Sequence, residues 1–253
     1  MNYLDKNNLE IITQKKLDKL IDKYKERIEK GYESDRKRLN LFHYNLSNIK
    51  IKNKDLQHII VFGCLLNNVT FENCDLKDAD IRYSEIINVS FINCDFSHGY
   101  FYKCNFINSD LSTCNIKNSH FDNAIFNNTK MPDYPMACPE RGSFIGYKKV
   151  CSIDDCFNDC PKEYILKLEI PKNAKHSSAA SNKCRCDKVK VLEIQNLDGS
   201  IAENITEVKS FYNDKFIYEL GKTIEEPKFD ECRWHECTSG IHFFMNREEA
   251  VNY

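Results

Sequence analysis

Every fifth residue from Leu46 to Met131 is apolar: Leu46, Ile51, Leu56 and Val61 begin the series, Phe121, Phe126 and Met131 end it, and none of the eighteen is polar. In a sequence that is 42% hydrophobic, a given phase does this by chance roughly once in 10^7 draws. Two residues before each centre runs a second column that becomes uniformly small, through Cys64, Val69, Cys74, Ala79, Ser84, Val89, Cys94 and Gly99 to Thr129. Between them lies a column rich in Asp and Asn, including Asn45, Asp55, Asp75, Asp80, Asp95, Asn105, Asp110 and Asn115. A helix repeats near 3.6 residues and a strand near 2, so neither keeps a strict five on one face. A coil that turns a square corner every five residues does, with one large and one small side chain per side directed to its axis and the others to solvent. Such self-similarity predicts a solenoid whose units bury their faces only by stacking.

These columns resemble the A(D/N)LXX pattern of pentapeptide-repeat proteins, with "CDLKDADIRYSEI" and "CNFINSDLSTCNI" as good instances. The resemblance implies a right-handed quadrilateral β-helix, four pentapeptides per coil and about four and a half coils, a tower roughly 20 Å tall at one strand spacing per coil. Lys54, Ile59 and Ile60 interrupt the small and polar columns, which predicts distortion of the early coils. The period ends at "MPDYPMACPERG", where Pro132, Pro135 and Pro139 mark a boundary.

Before the repeat, Asn8 to Lys30 reads as an amphipathic helix with Leu17, Leu20, Ile21, Tyr24 and Ile28 on one face and Gly31 as its stop. Such a helix suits the open apolar end of a solenoid; as a dimerising coiled coil its stripe covers too few heptads. "ESDRKRLNLFHYN" leads into the first coil near Leu41. After the repeat, "SFIGYKKV", "YILKLEI", "KVKVLEI" and "KFIYELGKTI" read as strands, "IPKNAKHSSAASNKCRCDK" as a connection, "NLDGS" as a turn and "NREEAVNY" as a short helix capped by Asn246. The expected organisation is a helical cap over 1–40, a β-helix over 41–131 and a β-rich α+β domain with few helices over 132–253; the fold is mainly β.

Charge is nearly balanced, with 36 basic and 38 acidic residues. No run of about twenty apolar residues predicts a membrane span, and "MNYLDKNNLE" lacks the apolar core of a secretory signal. Five of the thirteen cysteines occupy the small column, where Cys serves as a small hydrophobe, so the expected compartment is a reducing cytoplasm. Pentapeptide-repeat proteins include acidic DNA mimics that bind type II topoisomerases. Here residues 45–131 carry nine acidic and eight basic side chains, net −1. That is too little field to imitate a phosphate backbone, so topoisomerase antagonism is disfavoured and nucleic acid is not expected as a partner. The Asp and Asn of the polar column fit a local role, accepting hydrogen bonds from corner amides.

The chemistry is sought in the last hundred residues. Cys184 and Cys186 with Cys232, His235, Cys237 or His242 do not make a standard zinc spacing, nor do Cys151, Cys156 and Cys160; strand alternation puts Cys184 and Cys186 on one face for packing. Lys175, His176, Lys183 and Arg185 offer a basic lining for an anion. "CPERGSFIGYKK", "LEIPKNAKHSSA", "KCRCDKVKVLEI" and "ECRWHECTSGIHFFMNREEAVNY" together resemble a domain of unknown function found after pentapeptide repeats in bacterial and phage proteins. More distantly, "SGIHFFMNREEAVNY" is similar to the G-(I/V)-Y-F…A-x-x-Y signature of the poly-ADP-ribose-polymerase branch of ADP-ribosyltransferases. That likeness implies a nicotinamide pocket walled by this strand and helix, with Gly240 at the signature glycine, His242 at the stacking tyrosine, and Arg141 or Tyr147 at the ribose contact. Histidine replaces the tyrosine, and no third strand carries a catalytic glutamate. Arg233 and Trp234 suggest a small aromatic–cationic pocket.

The sequence therefore points to a non-enzymatic binding or scaffold protein, its rigid β-helix presenting a C-terminal domain to a protein partner or small ligand, with a degenerate nucleotide-binding transferase domain as the alternative. Candidate ligand-binding residues are Arg141, Tyr147, Tyr218, Trp234 and His242. No catalytic residue, metal or cofactor is expected, no membrane association, and a homodimer through the open end near Phe126 is compatible with the repeat.

Overall fold

A computed structural model describes residues 4, 6–30, 38–153, 161–213 and 216–253; Gly31, most of the "ESDRKR" segment, Cys156 and Cys160 lie outside the described residues. The chain falls into two compact units, Met1–Pro135 and Met136–Tyr253.

The first unit is a four-sided parallel β-solenoid of about four turns. Strand partners stand twenty residues apart, as in Asn40↔Ile60, Leu65↔Glu85, Phe71↔Phe91 and Phe106↔Phe126. One side is a six-stranded sheet, two are three-stranded, and the fourth is a ladder of single bridges, Asp55↔Asp75, Asp75↔Asp95 and Asp95↔Asn115. The apolar centres fill the axis, and aromatic rings stack between successive coils: Phe101 lies 4.7 Å from Phe121 at 8° and Phe106 lies 5.3 Å from Phe126 at 10°. Small-column hydroxyls and thiols reach the previous coil's main chain. Ser119 Oγ donates to Phe96 O (2.8 Å), Ser109 Oγ to Ile86 O (3.0 Å) and Cys104 Sγ to Ile81 O (2.8 Å). The polar column does what its composition suggested: Asp95 Oδ1 accepts from the Ser97 amide and Asp110 Oδ1 from the Ser112 amide, both at 2.9 Å.

The early coils are not distorted. Ile59 is buried at a small-column position, as Leu39 and Ile49 are, and Val61 keeps its register with Leu41 and Ile81. A further column matters more than the interruptions. Two residues after nearly every centre the backbone is left-handed, as at Asn48, Asn53, Asn68, Asn73, Asn88, Asn93 and Asn108, and also at His43, Tyr83 and Lys103. These corner residues do not merely face solvent; Asn is the non-glycine residue that best tolerates this conformation.

The helix α1 spans Gln14–Glu29, starting later than the periodicity predicted. Ile11, Ile12 and Thr13 form a β-branched run that favours extended backbone, and Glu10–Ile11 pairs in parallel with Tyr44–Asn45 as an added strand on the first coil. Thr13 then caps the helix, its Oγ1 accepting from the Lys16 amide at 3.3 Å. Leu17, Ile21 and Tyr24 are buried, Leu17 and Ile21 over the apolar end formed by Leu39, Leu41, Leu46 and Ile49. The N-terminal segment thus closes both the apolar end and one open backbone edge. No helix among the described residues is long and apolar enough to cross a membrane.

The second unit is one antiparallel sheet, whose strands we number within it: β1 Phe144–Cys151, β2 Glu163–Ile170, β3 His176–Ser178, β4 Lys183–Cys186, β5 Lys188–Gln195, β6 Glu207–Lys209, β7 Ile217–Glu219, β8 Thr223–Glu225 and β9 Ile241–Phe244. The order is β3-β4-β9-β1-β2-β5-β8, with β6 joining β1 and β7 joining β6. Two expectations fail here. The "connecting" segment holds the β3–β4 hairpin, because Cys184 and Cys186 alternate into the core. "KFIYELGKTI" is not one strand but two, broken at Leu220–Gly221, where Gly221 takes φ 79; its halves pair with β6 and β5 respectively. The terminal helix α2, Arg247–Val251, is capped as expected by Asn246, which accepts from the Glu248 amide.

Candidate functional site

The site follows from an interruption in pairing along β1. On one side β1 pairs continuously with β2. On the other, β9 pairs at Tyr147 and β6 only at Cys151, so the edge between them opens into a gap. Gly146, Lys148 and Val150 share the face of Leu168, Leu166 and Tyr164 in β2, which places a lysine in an otherwise apolar row. At Gly146 a Cβ would come 2.5 Å from the Phe243 ring, so only glycine lets β9 approach there. Opposite, the β4–β9 register puts Cys184, Cys186, Ile241 and Phe243 on the core face and Lys183, Arg185, His242 and Phe244 on the other.

The gap is a cavity of about 670 Å3. Lys148, Lys183, His242, Gly240 and Cys237 line it with an aromatic set of Phe211, Tyr212, Phe216, Tyr218, Phe244 and Tyr253. Lys183 is buried; its Nζ donates to Tyr253 Oη (2.7 Å), lies 3.4 Å from Cys237 Sγ, and sits 4.9 Å from the centre of the Tyr253 ring. The Lys148 ammonium lies 5.9 Å from the Tyr218 ring centre. Burial first, and the charge of Lys183 second, bring Lys148 down to about 8. Burial would also lower Lys183, but the Tyr253 hydroxyl and Cys237 hold it above its ordinary value. His242 is brought down to about 3 by burial and by the Lys183 and Lys148 charges; its Nε2 bonds Glu236 O at 2.9 Å, so it is a neutral imidazole donating through Nε2. Burial pushes the Tyr218 phenol up. Lys149, by contrast, pairs with Glu163 at 3.1 Å.

Of the five residues singled out from sequence, Tyr218 and His242 line this cavity and Arg141, Tyr147 and Trp234 do not. Arg141 is exposed ahead of β1. Tyr147 pairs with Phe244 where β9 still joins β1, and it is not part of the lining. Trp234 lies 4.6 Å from the Arg233 guanidinium, as the local sequence suggested, but that guanidinium also donates to Ser178 O (3.1 Å) and so ties the loop to the β3–β4 turn. The basic lining is likewise divided: Lys175 pairs with Glu231, His176 bonds Ala174 O and Pro139 O, and only Lys183 reaches the cavity. Arg185 donates to Asp230 O (2.8 Å), Ser239 O (3.0 Å) and Cys232 O (2.9 Å) and lies over the Phe229 ring. It anchors the loop ahead of β9 rather than holding a ligand. Cys184 and Cys186 are core residues with Cys138, which separates them from Cys232 and Cys237 on the loop. Lys148 was missed from sequence; its signal was a charge on the inward phase of "FIGYKKV".

On the tower, acidic groups meet cations. Lys77 reaches Asp75 (3.2 Å) and Asp95 (3.6 Å), Arg82 binds Asp80, and Lys130 lies 3.5 Å from Asp110. This pairing dilutes the negative field further.

Pentapeptide repeats, in eight copies, match residues 62–97 and 90–128, and the family of unknown function DUF5758 matches residues 134–250. An uncharacterized protein of Acanthamoeba polyphaga mimivirus is 33% identical over 109 residues, 40% of this chain and 67% of that protein. Among solved structures, the pentapeptide-repeat protein Rfr23 of the cyanobacterium Cyanothece is 21% identical over 37% of this chain, with a TM-score of 0.36. QnrB1, a plasmid-mediated fluoroquinolone resistance protein, is 14% identical over 34% of this chain, with a TM-score of 0.22. The match spans 64% of Rfr23 and 54% of QnrB1, less than two thirds of either.

Proposed function

The chain is a pentapeptide-repeat protein whose repeats are followed by a DUF5758 domain, and from that premise we propose that it is a non-enzymatic binding protein whose C-terminal unit takes a small anionic ligand with a flat or apolar body. The β-helix serves as a rigid scaffold, available to a protein partner by shape. One observation carries the ligand reading. Lys148 and Lys183 share a cavity, the Lys183 charge helps to depress Lys148, and among the described residues neither forms an ion pair with a carboxylate. Two ammonium groups drawn partly out of water are costly without a counter-charge, and an anion between them removes that cost. Tyr218, Phe244 and Tyr253 supply the apolar and π surface that gives such a ligand its orientation.

A nucleotide is the second reading, favoured by one observation: Gly240 and His242, which the transferase likeness implies as the nicotinamide wall, both line this cavity. Catalysis is not part of it.

The test is calorimetric titration of the full chain with inorganic phosphate, benzoate, AMP and NAD. We expect at least one aromatic anion to bind, with affinity reduced about tenfold or more in Lys183→Met and Lys148→Met. Binding should weaken above pH ~8, where Lys148 loses its proton. Equal affinity in both variants, or no heat with any probe, would overturn the proposal; turnover of NAD to nicotinamide would replace it with an enzyme.

A further inference from the structure

We propose that Cys232 is a nucleophilic thiol, set up by His235 and Asp230 to react with small carbon electrophiles that carry a leaving group. The three residues lie in the loop ahead of β9, outside the cavity lining. Asp230 is the organiser. Its Oδ2 accepts from His235 Nδ1 (2.7 Å) and Thr238 Oγ1 (3.0 Å), and its Oδ1 accepts from the Cys232 amide (2.9 Å). A carboxylate on one imidazole nitrogen fixes the tautomer and makes the ring a better base. The His235 imidazole acts on the Cys232 thiol and lowers it, and the two residues share one tight turn, in which the His235 amide donates to Cys232 O (3.3 Å). Arg185 secures the same carbonyl from β4. Asp230 thus holds both the imidazole and the Cys232 amide, bringing nucleophile, base and orienting carboxylate into one turn.

The electrostatics agree with the geometry. Burial by itself would lift the Cys232 thiol, but the imidazole and the Trp234 and His235 amides outweigh it and hold the group below the ordinary thiol range. Cys64 and Cys104 of the repeat go the other way, burial pushing them up to about 11 and about 12, whereas a hydrogen bond with Cys94 lowers Cys74 to about 7. Among the described residues, the other charged groups near Cys232 include the Arg185 guanidinium on its carbonyl, the Glu231–Lys175 pair, and Arg233, which is bonded to the Ser178 carbonyl. Cys232 is half-buried and His235 retains 17% side-chain exposure, so a small reagent has access. In the reaction the proton resides on His235 and the thiolate attacks carbon. A sulfur–carbon bond forms, and the leaving group departs with its electron pair.

The probe is iodoacetamide on the native full chain between pH 5.5 and 9, with each cysteine's alkylation rate read by peptide mass spectrometry. We expect Cys232 to carry a rate profile with its midpoint below about 8.5, the ordinary thiol value. In His235→Gln the rate at pH 6.5 should fall about tenfold, one unit of thiol ionisation, and Asp230→Asn should lie between. A wild-type midpoint at or above that of an ordinary thiol, no alkylation of Cys232, or an unchanged profile in a folded His235→Gln would each overturn the proposal. If neither variant folds, the wild-type midpoint decides.

Discussion

Asn108 shows how much of this fold is settled one backbone angle at a time. Its φ is 49°, its side chain is exposed, and its amide joins a ladder in which Asn128 Nδ2 donates to Asn108 Oδ1 (2.9 Å) and Asn108 Nδ2 to Asn88 Oδ1 (3.3 Å). Asn108→Val should cost about 1–3 kcal/mol, because a β-branched residue is strained there. Asn108→Gly keeps the backbone and should cost no more than about 1 kcal/mol; urea denaturation of both separates strain from ladder. Phe101 illustrates the axis. Fully buried, stacked on Phe121 and 5.0 Å edge-on from Phe96, it should cost about 3–5 kcal/mol on truncation to Ala. Two residues on, Lys103 lies 5.6 Å and 5.1 Å from the Tyr83 and Tyr102 ring centres, so Lys103→Ala should cost about 0.5–1 kcal/mol. Equal losses at Phe101 and Lys103 in a denaturant series would contradict the inward register.

Among elements, the Arg185 anchor and the N-terminal strand both satisfy backbone groups outside the main ladders, Arg185 those of the loop ahead of β9 and Glu10–Ile11 those of the first coil. Arg185 is a fully buried cation that donates to three loop carbonyls, and beside it Gly240 takes φ 150, where a Cβ would come 3.3 Å from the Arg185 Cβ. Arg185→Met should cost about 3 kcal/mol or more, since it strands buried acceptors. Arg185→Lys should not restore it, because an ammonium lacks the planar fork; limited proteolysis of the 226–240 loop alongside thermal melts reads both. At the other end, the helix stripe was legible because Leu17, Ile21 and Tyr24 recur at helical spacing. The Glu10–Ile11 strand was not, since two residues carry no period and its partner was thirty-odd positions away.

For the whole molecule, the buried cationic cavity sets the pH response. His242 sits at about 3 when folded against 6.5 for the free side chain, so between these values the unfolded chain binds a proton that the folded chain refuses, and stability falls as pH drops through that window. Lys148, at about 8 against 10.5, acts in the same sense: stability rises with pH between those values. Asp110 is held below its usual value by the Ser112 hydroxyl and amide and gives up its support only at lower pH. Melting midpoints of wild type should therefore fall from pH 6.5 to 4.5, and His242→Gln should flatten that limb while leaving the alkaline rise in place. A parallel fall in the variant would assign the acid limb to carboxylates instead.

The period of five by itself determined the tower, because in a solenoid each residue's environment is set by neighbours at a constant offset, and one column of large residues, one of small and one of Asp and Asn leave little else to specify. The Asn corners, frequent two residues after the centres, read from sequence only as solvent-facing, because left-handed backbone shows itself in the structure and not in the hydrophobic pattern. Residues 136–253 have no such internal ruler. Their strands could be read from alternation, but which strands meet is decided by contacts far apart in sequence, and the cavity exists only because β9 and β6 leave β1 partly unpaired. Tertiary structure therefore chose Tyr218 and His242 over Arg141, Tyr147 and Trp234, added Lys148, and turned Arg185 from a ligand donor into an anchor. It did so because a side chain's chemistry depends on the partners that pairing delivers to it.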